Sequence, residues 1–211
     1  MLRLTDLKLP LEHSDDALRA AILQRLGVSA TELVSYSVYT RSYDARKRGH
    51  IVLVYSLYVE LSNEAAVLAR LAGDAHVGLS PDTTYQFVTA PPQGDFLRPL
   101  VIGFGPCGLF AALILAQMGL KPIVLERGKA VRERTKDTWG LWRKRELEPE
   151  SNVQFGEGGA GTFSDGKLYS QIKDPKHLGR KVLQEFVKAG APEEILYVSK
   201  PHIGTFRLTG V

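Results

Sequence analysis

Apolar and polar positions along the first part of the chain alternate in some stretches and recur at helical spacing in others, which predicts an ordered series of elements. Leu2 to Leu9 reads as a strand. Ser14 stands ahead of Leu18, Ile22 and Leu26, which share one helical face; Asp15 and Asp16 occupy the first turn and Gly27 the end, so a capped helix is expected through Leu26. Val34, Tyr36 and Val38 alternate along a second strand, and Ile51, Leu53, Tyr55, Leu57 and Val59 along a third. Asn63 caps another helix that ends near Gly73, and Tyr85 to Val88 supplies a last strand. The order βαββαβ predicts a ferredoxin-like α+β plait over residues 1–89. Ala90-Pro91-Pro92-Gln93-Gly94-Asp95 then interrupts both periodicities, as a linker over 90–97 would.

From Arg98 the pattern changes to that of an α/β unit. Leu100 to Ile102 is a short apolar run suited to a buried parallel strand, and Gly103, Gly105 and Gly108 follow in the spacing Gly-x-Gly-x-x-Gly. The first glycine allows a tight turn, the second lets a pyrophosphate approach the backbone at a helix N-terminus, and the third lets the helix pack close to the strand. Pro106 and Cys107 fall inside that turn. Leu109, Ala112, Leu113 and Ala116 recur at helical spacing up to Gly119, and Ile123 to Leu125 forms a second strand. That strand delivers Glu126, eighteen positions after Gly108, to the place where an acid accepts hydrogen bonds from a ribose diol. Strand, turn, helix, strand and acid in register point to dinucleotide binding and to the start of a Rossmann-like domain over 98–211.

A second glycine-rich segment runs from Asn152 to Leu168, with five glycines in the eleven residues from Gly156 to Gly166. Such a backbone is costly to order, so it implies close approach of a ligand or a sharp turn. Amides from Gly158 through Gly159, Ala160 and Gly161 to Thr162 are candidate donors to phosphate or flavin oxygens, with the Thr162 and Ser164 hydroxyls as further partners and Lys167 as a stabiliser of a reduced anionic flavin. A mobile surface loop is the other reading. Without a ligand, Gly156 to Lys167 is expected to be among the least protected segments of the chain.

With both segments in view, the sequence resembles the uncharacterised FAD-dependent dehydrogenases, also called NAD(FAD)-utilising dehydrogenases, of the glutathione-reductase-type flavoprotein superfamily. The resemblance rests on Tyr43-Asp44-Ala45-Arg46-Lys47, Gly103-Phe104-Gly105-Pro106-Cys107-Gly108, Glu126-Arg127-Gly128, the run from Gly156 to Lys167, and Pro201-His202-Ile203-Gly204-Thr205. It implies FAD as cofactor, oxidoreductase chemistry, and NAD(P)H as a candidate electron donor; it implies no substrate and no catalytic residue. Arg127, next to the ribose acid, is the basic residue expected against adenine or a phosphate. Members carry a later Gly-Asp segment and an interposed substrate domain, so the chain reads as an N-terminal portion of the FAD-binding domain, incomplete and inactive alone.

Composition narrows the setting. Hydrophobic residues make up 44% and charged residues 24%, a globular balance. No apolar run reaches the roughly 18 residues of a membrane span, and the N-terminus lacks the apolar core of a secretion signal, so a cytoplasmic protein with no membrane partner is expected. The single cysteine, Cys107, excludes an internal disulfide. It is either a nucleophile favoured by a helix N-terminus or a small side chain beside the pyrophosphate. His202 is a candidate acid or base, or a packed loop residue. Trp139 and Trp142, three apart, read as packing anchors, and the basic run that includes Arg132, Arg134, Lys136 and Arg143 reads mostly as the wet face of a helix.

The net charge of +4 raises a second class of function. Arg41, Arg46, Lys47 and Arg48 crowd the hairpin between the second and third strands, with Tyr39 and Tyr43 among them, and a plait displaying aromatics beside basic residues can bind RNA. The alternative to an oxidoreductase is therefore a non-enzymatic module that binds nucleic acid or a protein partner and carries a structural dinucleotide.

Overall fold

The computed structural model describes residues 1–90 and 93–211, so Pro91 and Pro92 of the expected linker lie outside the described residues. These residues form two compact units, Met1–Thr83 with Glu193–Pro201, and Thr84–Pro192 with His202–Val211. The protein is a mixed α/β chain with an antiparallel sheet in the first unit and a small parallel sheet in the second. Among the described residues, no helix is long and apolar enough to cross a membrane.

The first unit runs β1 (Leu2–Pro10), α1 (Asp15–Leu26), β2 (Leu33–Lys47), β3 (His50–Leu61), α2 (Glu64–Arg70) and β4 (Val77–Leu79), with the strands ordered β2-β3-β1-β4 and every neighbour antiparallel. Ser14 Oγ accepts from Ala17 N at 3.2 Å and Asn63 Oδ1 from Ala66 N at 3.2 Å, which starts each helix where a side chain can satisfy an amide left over by the first turn. Leu18, Ile22 and Leu26 of α1 and Val67 of α2 share one core with the inward leucines of β1 and with Leu53, Tyr55, Leu57, Val59 and Leu61 of β3.

Strand β1 keeps its core face by means of a bulge. Leu2 and Leu4 point inward at period two, but Leu7 and Leu9 are out of phase with them. The register shifts between Leu4 and Leu7, where three steps of β1 face two of β3, and Asp6 takes φ 55°. One extra residue brings all four leucines into the core and leaves Asp6 outside.

The last strand lies elsewhere than expected. Val77–Leu79 pairs with Leu2–Leu4, and Val77 is buried, whereas Tyr85 to Val88 forms no strand. The rings of Tyr85 and Phe87 pack edge to face at 5.2 Å, and the Lys181 ammonium sits over them at 5.4 and 5.9 Å, so their apolar surface is used in the second unit. Helix α2 also ends before Gly73. A later segment joins the first unit: Arg41 N donates to Tyr197 O at 2.6 Å, Ser199 N donates to Arg41 O at 3.0 Å, and Ile195 is fully buried. Glu193–Pro201 thereby covers part of the edge of β2 that would otherwise present unpaired backbone groups.

The second unit contains β5 (Leu100–Ile102), α3 (Pro106–Gln117), β6 (Ile123–Leu125), α4 (Val131–Lys144), α5 (Leu178–Lys188) and α6 (Thr205–Leu208). β5 and β6 are parallel, with Leu100 opposite Ile123 and Ile102 opposite Leu125. Gly119 closes α3 at φ 81°, with Leu120 N bonded to Leu115 O at 3.0 Å. Val101 lies on the side of α3, and Leu100, Ile102 and Leu125 of the other face are more than half exposed.

Candidate functional site

The first glycine turn links β5 to α3. Gly103 has φ 91°, a conformation that glycine adopts without strain, and its amide donates to Leu125 O at 2.7 Å. At Gly108 a Cβ would lie 2.0 Å from Gly103 O, so the helix can follow the turn this closely only without a side chain there. Gly105 is the N-cap of α3, Pro106 is the first helical residue, and no side chain caps the helix. Cys107 is exposed in this first turn.

Glu126 lies at the end of β6 and reaches back to the same turn. Its Oε2 accepts from Phe104 N at 2.6 Å and its Oε1 from Gly128 N at 2.8 Å. Burial pushes this carboxyl up, but the amides of Gly128, Phe104, Arg127 and Gly156 outweigh burial and hold it below the usual carboxylate value. An ionised carboxylate therefore ties the glycine turn to the second strand. Arg127 points its guanidinium at Glu150, 2.9 Å away, and stacks over the Phe155 ring at 4.1 Å.

The second glycine segment is organised by contacts within the protein. Gly158 N donates to Phe104 O at 2.8 Å, which joins the two glycine turns, and Gly159–Gly161 forms one 3₁₀ turn. Beneath it lies Arg134, fully buried on α4. Its Nε donates to Asn152 O at 2.8 Å, Nη1 to Glu157 O at 2.5 Å and Thr162 Oγ1 at 3.0 Å, and Nη2 to Val153 O at 2.9 Å and Gly159 O at 2.6 Å. Arg134 is the exception to the wet helix face: Arg132, Glu133, Lys136 and Arg143 are exposed, and Arg134 is not. Its one visible sequence signal was a charge four residues ahead of the small Thr138, itself buried.

The hydroxyls singled out beside this segment are used within the protein. Thr162 Oγ1 donates to Glu157 O at 3.1 Å while accepting from Arg134, and Ser164 Oγ accepts from Gly166 N at 3.1 Å. Lys167 pairs with Asp165 at 3.2 Å, which raises the lysine and lowers the aspartate, and its backbone bridges to His202. His202 is exposed and its ring lies 5.9 Å from that of Tyr169. Ala160 is exposed on the 3₁₀ turn.

A cavity of about 1090 Å³ opens beside these turns, lined among others by Phe104, Pro106, Leu109, Gly158, Lys167 and Phe186. Its wall is mainly apolar with a few polar groups, the usual make-up of a small-molecule site. Trp139 and Trp142 pack edge to face at 5.5 Å and Trp142 meets Phe163 at 6.2 Å, but both tryptophans are exposed and anchor no core. No group of three or more His, Cys, Asp or Glu that could hold a metal occurs among the described residues.

The basic hairpin of the first unit is partly committed. Arg41 lies over Tyr197 at 5.1 Å, and Arg46 grips Asp44 through Nε at 2.8 Å and Nη2 at 2.6 Å, holding that carboxyl well below its usual range. Tyr39 packs on Tyr58 at 4.9 Å and under the Arg3 guanidinium at 4.1 Å. Lys47 and Arg48 are exposed beside the turn at Gly49, and Tyr43 is exposed.

Residues 1–60 match a domain of unknown function (DUF8436). A protein of Clostridium beijerinckii described as an uncharacterized protein is 42% identical over 210 residues, which cover 100% of this chain and 39% of that protein. The chain thus spans about two fifths of the length of the curated relative it matches.

Proposed function

We propose that this chain carries the nucleotide-binding part of an FAD-dependent oxidoreductase of the NAD(FAD)-utilising dehydrogenase type. On this reading the second unit is the start of a Rossmann-like FAD-binding domain and the first is a ferredoxin-like plait, a reading supported by its βαββαβ order and its β2-β3-β1-β4 sheet. The observation that carries the proposal is the turn at Gly103–Gly108, which enters the uncapped N-terminus of α3 and is tied by Glu126 to the end of a parallel strand.

The residues fit FAD in part. Gly105 and the first turn of α3 would take the pyrophosphate, and Glu126 the adenosine ribose hydroxyls. Gly159 and Gly161, which face Gly105 and Pro106, would join them at the phosphates, and Lys167 would border the flavin side of the cavity. Thr162 and Ser164 fit less well as ligand donors, since their hydroxyls already serve the loop. When bound, a flavin supplies hydride or electron transfer at its ring. The chain's own residues orient the nucleotide, hold Glu126 ionised and shield one side of the cavity with Phe104, Leu109 and Phe186.

The test is to purify both this chain and the whole Clostridium beijerinckii relative, record their visible spectra and identify any extracted nucleotide. FAD in the relative, and saturable FAD binding by this chain, is the expected result. FMN or NAD alone as the stoichiometric ligand, or no nucleotide in either protein, would overturn the assignment.

A further inference from the structure

Arg134 is a buried cation whose hydrogen bonds go almost wholly to main chain. A guanidinium has five N–H donors, and Arg134 makes five hydrogen bonds, four to carbonyls between Asn152 and Gly159 and one to the Thr162 hydroxyl. Burial draws it down from the ordinary arginine value against the pull of Glu126 and Glu157, yet its hydrogen bonds go to neutral oxygens and to no carboxylate. The Phe163 ring lies 5.0 Å from its Cζ. Gly156 leaves room for this side chain, since a Cβ there would fall 2.5 Å from Arg134 Cδ.

This arrangement fixes which way the peptides of the turn face. In a trans peptide the carbonyl and the following amide point in opposite directions. With the Glu157 and Gly159 carbonyls drawn toward Arg134, the amides of Gly158 and Ala160 are aimed away from it. The first meets Phe104 O in the other glycine turn, and the second belongs to an exposed residue flanked by Gly159, which faces Gly105, and by Gly161, which faces Pro106.

We propose that Arg134 is the positioning residue of the nucleotide site: it sets the Glu157–Thr162 turn, before any ligand arrives, in the orientation that meets the phosphates of the dinucleotide. The ligand half of this inference rests on the FAD reading; the ordering of the turn rests on geometry alone.

Arg134→Lys and Thr162→Val test it in the whole chain. Lysine keeps the charge but brings three donors to five acceptors, and valine keeps the volume of threonine but removes one acceptor. In ligand-free protein, amides 156–162 should exchange roughly tenfold faster or more in Arg134→Lys and by a smaller factor in Thr162→Val, while α3, β5 and β6 of the same unit remain protected and report that this unit is folded. FAD should bind Arg134→Lys roughly tenfold more weakly or worse, whereas riboflavin, which has the ring and no phosphate, should change by less than about twofold. General loosening would weaken both alike. Unchanged exchange at 156–162, or equal losses for FAD and riboflavin, overturns the proposal. If the wild-type chain binds no FAD, the ligand half falls with the FAD reading, and the exchange result still decides whether Arg134 orders the turn.

Discussion

Gly105 separates a glycine kept for a ligand from a glycine kept for the fold. Its φ of −73° is open to any residue, and a Cβ there would lie 3.8 Å from Gly159 Cα, an ordinary contact. Alanine is a poorer N-cap than glycine by up to about 1 kcal/mol, but it also removes conformational freedom from the unfolded chain, worth about 0.4–1 kcal/mol in the other direction. Gly105→Ala should therefore leave stability within about 1 kcal/mol of wild type. Gly108→Ala is the contrast: its Cβ would sit 2.0 Å from Gly103 O and 3.0 Å from Gly103 C, atoms of the backbone that cannot move aside cheaply. Overpacking of this kind costs about 1–3 kcal/mol or more.

Urea denaturation followed by flavin titration reads the two effects apart. Gly105→Ala should unfold at the wild-type midpoint and bind FAD about tenfold or more weakly, a loss of about 1.4 kcal/mol, because the methyl group occupies the path of the pyrophosphate. Gly108→Ala should lose stability and binding together. If Gly105→Ala binds FAD with unchanged affinity at unchanged stability, the pyrophosphate does not approach this turn and the assignment of the site is wrong.

Glu126→Gln should lose one of its two amide contacts, since Nε2 cannot accept, and destabilise the second unit by about 1–3 kcal/mol, measured by denaturation with and without FAD. Glu185 is held at about 2, well below 4.5, by Lys181 first and by Lys188 and Gln117, against burial; its contribution is fully present above the unfolded value and is lost as pH falls from about 4.5 through 2. Acid unfolding of wild type and Glu185→Gln should therefore converge in that window, and parallel curves would remove Glu185 as a cause. Deleting Asp6 should turn β1 into a continuous strand with Leu2, Leu4, Leu7 and Leu9 still inward, at a cost within about 1 kcal/mol by thermal denaturation; a loss above about 3 kcal/mol would mean that the bulge does more than correct register.

The features legible in the sequence were those set by near neighbours. Ser14 and Gly27 bound α1 as their side chains and backbone require, and Gly103, Gly108 and Glu126 stand where a strand, turn and helix of that spacing put them. Misreadings came from interactions between distant residues. Tyr85 to Val88 has the alternation of a strand, but β1 pairs with Val77–Leu79 instead, Leu4 lying opposite Val77 and Thr5 N bonded to His76 O at 2.8 Å. Nothing in the string Glu193–Pro201 announces that it will pair with Arg41, well over a hundred residues earlier.

Arg134 marks the limit most sharply, because it was hidden among charges of the same kind. Arg132, Lys136 and Arg143 share its helix and face water, and residue type alone gives no reason to set Arg134 apart. The distinguishing fact is the glycine segment itself. The segment and the residues just before it turn the carbonyls of Asn152, Val153, Glu157 and Gly159 toward α4, and buried carbonyls are stable only with a donor. A buried guanidinium is the side chain that can supply five at once from a fixed plane. On α4 that role falls to Arg134, whose Nη atoms meet Glu157, Val153, Gly159 and Thr162. Contacts within the protein thus organise the loop, with Arg134 holding its carbonyls and Gly158 N joining it to the first turn through Phe104 O.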